Sequence, residues 1–322
     1  MMSNIGQAST VKTGRVSLGR LRGTGSLIAL LLIMVVFSLS SSAFLQINNL
    51  MNIIVQVAVI AVIASGSMFV ILTGGIDLSV GGVLALSGVL AASVVHGTGS
   101  SALAIATCLG VSLCFGLLAG ALVAYGRIPP FVCTLGTMSI ARGVAFVYSG
   151  GIPISGFPAA FRFPGAGYVA GVPMMVIIPI VIYVILYFVL RSTPFGKIVY
   201  AIGSNEEATR LTGINTRKYK LIVYALAGLL TGIGALLYIA RINSGHPGSG
   251  NGYELNAIAA VVIGGTSLSG GRGSIVGTMI GALIMGVISN GLNLMNIDPY
   301  FQNVVLGAVI ILAVMIDQHS QK

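Results

Sequence analysis

Three charged side chains interrupt the apolar runs of this 322-residue chain and are the first candidates for chemistry. Asp77 lies in the glycine-rich segment GGIDLSVGG at 74–82, and Glu254 follows the loop segment GHPGSGNGY. Arg142 lies inside an apolar run, about 16 Å of helix beyond Phe131. Because a charge in hydrocarbon is costly unless it is paired or hydrated, each of these residues indicates either a cavity or a structural pairing.

Both interpretations stay open for each residue. Asp77 or Ser79 is well placed to cap the helix that follows, which competes with a cavity role for Asp77. Arg142 is equally suited to a structural pair and to a solute path. Glu254 near the start of a helix complements the helix dipole.

Amide side chains form a second group. They recur at the start of one apolar run and near the end of another, together with Asn256 beside Glu254: Asn48, Asn49, Asn52 and Gln56, then Asn290, Asn293 and Asn296. Asn290 and Asn293 are three residues apart and are predicted to share a helix face. Amides and hydroxyls recognise neutral polyols, so we predict a translocation path lined by Asn52, Gln56, Asp77, Arg142, Asn290 and Asn293. Interhelical hydrogen bonding is the competing interpretation.

Catalytic and metal motifs do not occur in the sequence. It contains no G-x-x-x-x-G-K-S/T loop, no H-E-x-x-H and no serine elbow, and Cys108, Cys114 and Cys133 lie in apolar runs without metal-ligand spacing. We therefore expect a protein that is not an enzyme, with no catalytic residues, no metal and no cofactor of its own.

Composition determines which elements must position these side chains. The chain is 56% hydrophobic and 7% charged, with a mean hydropathy of +1.03, whereas soluble proteins are about 25% charged. Spans of about 20 apolar residues predict an all-α, polytopic membrane protein of about ten transmembrane helices. The predicted segments are 25–45, 50–73, 79–97, 101–125, 131–149, 172–190, 220–240, 254–268, 274–295 and 301–317.

Charge predicts the orientation. With the N-terminus inside, the outer loops hold only Arg162 and Arg241, and all other Lys and Arg except Arg142 are cytoplasmic. This predicts a cytoplasmic tail at 1–24, a transmembrane domain at 25–317, and a second cytoplasmic tail at 318–322. A cleaved signal peptide ending near Ala43 is the alternative for the first span.

Glycine spacing predicts close helix packing. Gly273, Gly277 and Gly281 follow one another at four-residue intervals, as do Gly116 with Gly120 and Gly228 with Gly232. The segment GGTSLSGG at 264–271 also echoes GGIDLSVGG, which hints at an internal repeat.

The segment 191–220 is a basic, water-exposed insert between two apolar runs, and it suggests a docking surface on the cytoplasmic side. Within it, Gly203–Gly213 is predicted to form a short helix. Asn205 or Ser204 would cap its start, acidic residues occupy its first turn, and Gly213 would end it.

Four motifs in order carry a family resemblance: GGIDLSVGG at 74–82, TLGTMSIARG at 134–143, GSNEEATRLTGI at 203–214, and GYELNAIAAVVIGGTSLSGGRGSIVGTMIGA at 252–282. Together they resemble the monosaccharide permeases of bacterial ABC importers, with ribose-type permeases the most similar.

The resemblance implies a type II importer fold and a homodimer in the bacterial inner membrane. It also implies two further partners, a cytoplasmic subunit that binds ATP and Mg²⁺ and a periplasmic sugar-binding protein, with no role for nucleic acid. The motif that couples the family to its ATPase falls here on Gly203, Asn205, Ala208, Arg210 and Gly213. The sugar itself is not implied. The alternatives are an amino acid permease of the same importer class and a self-contained carrier or channel.

Overall fold

The structure, a computed structural model, describes residues 18–319. Within this range the chain forms thirteen α-helices and four two-residue strands. The helices are α1 Leu18–Ser40, α2 Ile47–Leu72, α3 Val80–Thr98, α4 Ser101–Ala124, α5 Pro130–Ser149, α6 Ala159–Ala166, α7 Met174–Ser192, α8 Pro194–Ser204, α9 Glu206–Leu211, α10 Thr216–Ile242, α11 Tyr253–Ile263, α12 Ile275–Leu294 and α13 Pro299–His319. The strands are β1 Ile154–Ser155, β2 Tyr168–Val169, β3 Val172–Pro173 and β4 Ser244–Gly245.

The all-α prediction is confirmed for the described residues. Seven helices are long and apolar enough to cross a membrane, namely α2, α3, α4, α5, α7, α10 and α12. The other three predicted segments coincide with shorter apolar stretches at Gly25–Ser40, Tyr253–Ile263 and Tyr300–Leu312.

The predicted ends of two membrane segments are wrong. The first helix begins at Leu18, inside the predicted tail 1–24, and ends at Ser40 rather than 45. The eighth ends at Ile263 rather than 268 because Gly264 and Gly265 end it, Gly265 at φ +88°. With 11 residues, α11 is about 16 Å long, roughly half the hydrocarbon thickness. The tails at 1–17 and 320–322 lie outside the described residues.

Helices α4 and α10 pack closely through the predicted glycines. A methyl group added at Gly228 would lie 2.8 Å from the Gly116 Cα, and one at Gly120 would lie 2.9 Å from the Tyr224 Cβ. A side chain at either position would therefore push the two helices apart. Close packing through the Gly116/Gly120 and Gly228/Gly232 pairs is confirmed.

The third glycine series is confirmed in part. A methyl group at Gly277 or Gly281 would overlap the carbonyl of Gly264 or Ala260, so α12 packs directly on the α11 backbone. Gly273 does not belong to this helix face, which corrects the prediction. Ser274 caps α12 by accepting a hydrogen bond from the Gly277 amide, so Gly273 lies in the preceding turn, against the Thr266 side chain.

The two echoing glycine segments meet in space. Each follows a helix, α2 or α11, and the Gly271 amide donates a 2.9 Å hydrogen bond to the Leu72 carbonyl. Gly203, at the end of α8, lies between them, since a methyl group there would overlap both Leu72 O and Gly271 N. The turns that join the spanning helices are thus in direct contact with the segment that leads into α9.

Candidate functional site: a coupling helix and a polar cluster

The predicted short helix is present as α9. Asn205 caps its start by accepting a 2.9 Å hydrogen bond from the Ala208 amide, while Glu206 and Glu207 occupy the first turn. The helix ends at Leu211, and Gly213 follows at φ +87°, in the left-handed region that favours glycine. The prediction of a helix with these caps is confirmed. Its docking role remains a prediction.

Two ion pairs stabilise α9. Lys220 Nζ lies 2.5 Å from Glu206 Oε2 and joins α10 to α9. Arg210 lies 2.5 Å from Glu207 Oε1 within α9, and its hydrogen bond lowers the pKa of Glu207. The Arg210–Glu207 pair is well exposed and contributes little to stability, whereas Lys220 is only 19% exposed. The Glu206–Lys220 pair, which joins α9 to α10, therefore contributes more to stability than the pair within α9.

The solvent-facing side of α9 carries small and apolar residues beside the exposed Glu207–Arg210 pair. Ala208 is exposed, and Leu211 is 78% exposed at the end of the helix, while Thr209 is buried against the protein. Beside the helix lies a cavity of about 490 Å³, lined by Arg127 and Glu206 among others. An apolar tip on a short, anchored helix next to a polar recess is a suitable geometry for contact with another protein.

A second polar cluster forms where α3, α5 and the start of α11 meet. The Arg142 guanidinium donates to the Ser249 carbonyl at 2.6 Å and to the Pro247 carbonyl at 3.4 Å. Glu254 Oε1 accepts from the Gly252 amide at 3.2 Å. Arg142 is half-buried and hydrogen-bonded to the protein, which favours the structural-pair interpretation.

Gly81 separates the two charged groups of this cluster. A methyl group at Gly81 would overlap Glu254 Oε2 and would lie 3.4 Å from Arg142 Nη2. Glu254 Oε2 is buried and has no hydrogen-bond partner among the described residues. Only glycine leaves room here for a carboxylate and a guanidinium to face the same stretch of α3.

Asp77 hydrogen-bonds to Ser79, two residues along the chain. Its Oδ1 accepts from the Ser79 amide at 2.8 Å and from the Ser79 hydroxyl at 2.6 Å, and the residue is 4% exposed. Asp77 therefore fixes the turn that precedes α3, and Ser79 occupies the N-cap position. This geometry favours the capping-type interpretation, in which the carboxylate organises the turn.

The predicted amides lie elsewhere and divide between different partners. Asn49 and Asn290 form a reciprocal pair at 3.0 and 2.9 Å, whereas Asn293 accepts from Gln302 at 2.8 Å. Asn290 and Asn293 lie three residues apart on α12, about 60° apart around the helix, as predicted for one face. Asn290 is nevertheless buried and Asn293 exposed, so the two amides lie at the edge of the packed face and have different surroundings.

Hydrogen bonds among the described residues do not join the predicted path residues into one cluster. Asn52 is exposed and Gln56 half-buried on α2, near the Asn49–Asn290 pair in sequence. Arg142 contacts the loop before α11, and Asp77 contacts the start of α3. Within residues 18–319, the predicted amides and the predicted charged residues thus have different hydrogen-bond partners.

A family model described as "Branched-chain amino acid transport system / permease component" matches residues 49–314. The chain belongs to this permease family. No solved structure matches the chain.

Curated relatives of this permease share nearly its full length. It is 47% identical to the ribose import permease of Escherichia coli K12 over 92% of this chain and 94% of the relative. It is 43% identical to the ribose import permease of Bacillus subtilis 168, over 93% and 94%, and 38% identical to the D-allose transport system permease of E. coli K12, over 92% of each chain. With seven apolar helices long enough to span, the permease is a multi-pass protein of the bacterial inner membrane.

Sequence reasoning missed three features of the permease site. It placed Glu206 in the first turn of the predicted helix but did not foresee the ion pair with Lys220 that joins α9 to α10. It did not single out Leu211, and it did not foresee that Arg142 binds backbone carbonyls. The sequence did contain a signal for the exposure of Leu211. This leucine lies in a polar insert, two residues before the glycine that ends the helix.

Proposed function

We propose that the chain is the membrane subunit of an ABC importer that carries a monosaccharide across the inner membrane, driven by ATP hydrolysis on a partner. The observation that carries this proposal is the 47% identity, over 92% of the chain, to a permease named for ribose import. Relatives named for D-allose and L-arabinose support a sugar of the same chemical class.

An amino acid substrate is the second candidate, because the family description names branched-chain amino acids. Such a substrate has a carboxylate that needs a free cation. The guanidinium of Arg142 is engaged by two carbonyls, and Glu254 faces it across Gly81. This arrangement favours a neutral solute.

For the topology we propose about ten membrane segments, with both termini and the insert 191–220 in the cytoplasm, in a type II importer arrangement. The three short apolar helices would complete the seven long ones, with α11 entering only part of the bilayer. Lys and Arg placement supports this orientation.

For coupling we propose that α9 docks on the ATPase subunit, which would carry the ATP and Mg²⁺. Gly203 links α9 to the turns after α2 and α11, Asn205 caps it, Ala208 and Arg210 are exposed on it, and Gly213 ends it. Movement of α9 would be transmitted to the spanning helices through the contacts of Gly203. A periplasmic sugar-binding protein and a second copy of the chain complete the proposed complex.

For the path we propose weak, uncharged contacts to the sugar. Asn52, Gln56 and Asn293 would offer amides, with Asn290 supporting them through Asn49. Asp77 and Arg142 would shape the path by fixing turns rather than by binding the solute directly. A solute delivered by a binding protein must leave quickly, so tight sites along the path would slow transport.

Affinity purification of the tagged chain from its native membranes tests this proposal. We expect a P-loop ATPase to copurify and to lose ATP-dependent association when α9 is altered. Equilibrium dialysis of the isolated chain with ribose should show no tight binding. Purification without any ATPase, together with tight sugar binding to the isolated chain, would support a self-contained carrier instead.

A further inference from the structure

A groove of about 400 Å³ runs between α7 and α12 on the outside of the helix bundle. Its walls are apolar or aromatic, and they are formed by Ile180, Tyr183, Val184, Tyr187, Phe188, Ile275, Val276 and Met279. From Ile180 to Phe188 it follows about 12 Å of α7, close to the depth of one leaflet of hydrocarbon.

The floor of the groove is rigid and its rim is open. Tyr183 is buried and donates a 2.9 Å hydrogen bond to the Ala61 carbonyl of α2, and Ile275 is buried as well. Val184 and Val276, on opposite rims, are about half exposed. A shape of this kind accepts a flexible hydrocarbon chain laid along it.

Cations flank one end of the groove on both walls. Arg191 lies one turn beyond Tyr187 and donates a hydrogen bond to the Tyr187 hydroxyl. Arg272, which is exposed, lies three residues before Ile275. Tyr200 of α8 binds the Gly273 carbonyl at 2.9 Å, which brings the basic helix α8 alongside this end.

No acid offsets these cations within the segments that carry them. The sequence has no Asp or Glu from 174 to 204 or from 264 to 294. Basic pockets between spanning helices on the cytoplasmic side bind anionic lipid headgroups. A ligand that fits the whole groove would therefore combine an apolar chain with an anionic head group.

We propose that this groove binds an anionic phospholipid, with an acyl chain between α7 and α12 and the phosphate against Arg191 and Arg272. Placement in the cytoplasmic leaflet rests on the topology proposed above, whereas the groove and its charged end do not.

The test uses the full-length permease in phosphatidylcholine nanodiscs with a photoactivatable phosphatidylglycerol that carries a diazirine on its acyl chain. Labelling should concentrate on peptides from α7 and α12, and unlabelled phosphatidylglycerol should compete with it better than phosphatidylcholine. The double variant Arg191→Gln/Arg272→Gln should weaken phosphatidylglycerol competition by about 30-fold, which corresponds to about 2 kcal/mol at 1.4 kcal/mol per tenfold.

Three further variants make the outcome decisive. Val276→Trp fills the groove from its rim and should abolish labelling of α7, whereas Val147→Trp, on the exposed face of α5, should not. Arg217→Gln, an exposed cation beside α9, is the matched control for charge. Equal competition by phosphatidylglycerol and phosphatidylcholine, or disulfide cross-linking of Val184→Cys to a second copy in place of lipid labelling, would overturn the proposal.

This assay needs no ATPase and no sugar, so its failure is separate from a failure of the proposed transport function. Reaction of Lys197→Cys with a membrane-impermeant reagent in intact cells would refute the proposed leaflet but leave the lipid site standing.

Discussion

Truncation of Leu211 is the sharpest test of the docking surface on α9. The side chain is 78% exposed in the isolated permease, so nearly all of its apolar area is free to be buried by a partner. Leu211→Ala removes three carbon groups at about 0.8 kcal/mol each, or about 2 kcal/mol after allowing for the part already covered. At 1.4 kcal/mol per tenfold, this predicts about 30-fold weaker association with the ATPase subunit.

The assay is titration of purified ATPase subunit onto the permease in nanodiscs, followed by mass photometry or by fluorescence of a labelled ATPase. Because Leu211 makes little contact within the permease, the variant should keep the wild-type melting temperature. Leu117→Ala, an exposed leucine on the spanning helix α4, is the matched control and should leave association unchanged. Wild-type affinity for the Leu211→Ala permease would refute the assignment of α9 as the docking helix.

Four further predictions concern other positions. Ala208→Glu places a charge on the exposed face of α9 and should abolish sugar uptake while the protein remains inserted; normal uptake with normal ATP turnover would exclude docking through this face. Arg142→Leu should insert well but should alter transport or dimer stability, because it leaves the Ser249 carbonyl without this hydrogen bond. A structure of the permease with the Arg142 guanidinium facing acyl chains would contradict this prediction. Gly228→Ala should lower the melting temperature because its methyl group meets the Gly116 backbone, whereas Gly110→Ala, with nothing within 4 Å, should leave it unchanged or raise it. Asn290→Ala should reduce uptake by a modest factor, at about 1 kcal/mol for each of the two neutral hydrogen bonds shared with Asn49, and a complete loss would point to direct participation in the path.

Local signals explain why so much of the fold was predictable. The cap at Asn205, the acids in the first turn and the stop at Gly213 all act within one short segment, so the sequence predicts a short helix with these caps. Gly203 and Ser204, at the predicted start, belong instead to α8. Apolar runs locate the spanning helices equally well, because hydrocarbon requires them to be continuous. Glycines four apart likewise predict close backbone packing, although the spacing does not say that Gly116 on α4 and Gly228 on α10 are partners.

Long-range partners could not be predicted in the same way. Arg142 binds backbone carbonyls at 247 and 249, and a backbone acceptor has no residue-type signature. Asn49 and Asn290 are 241 positions apart, so only the packed bundle selects them as a pair. The early end of α11 is set by Gly264 and Gly265, the latter at φ +88°, and a hydropathy run does not register such a stop.

Sugar uptake by a defined complex tests the central claim most directly. The permease, its ATPase subunit and the sugar-loaded binding protein would be reconstituted in proteoliposomes, and accumulation of radiolabelled ribose, D-allose, L-arabinose and leucine would be compared. We predict uptake of a monosaccharide, and not of leucine, that requires both ATP on the ATPase side and the binding protein. Uptake of leucine under these conditions, or sugar uptake by the permease alone without ATP, would contradict the assignment.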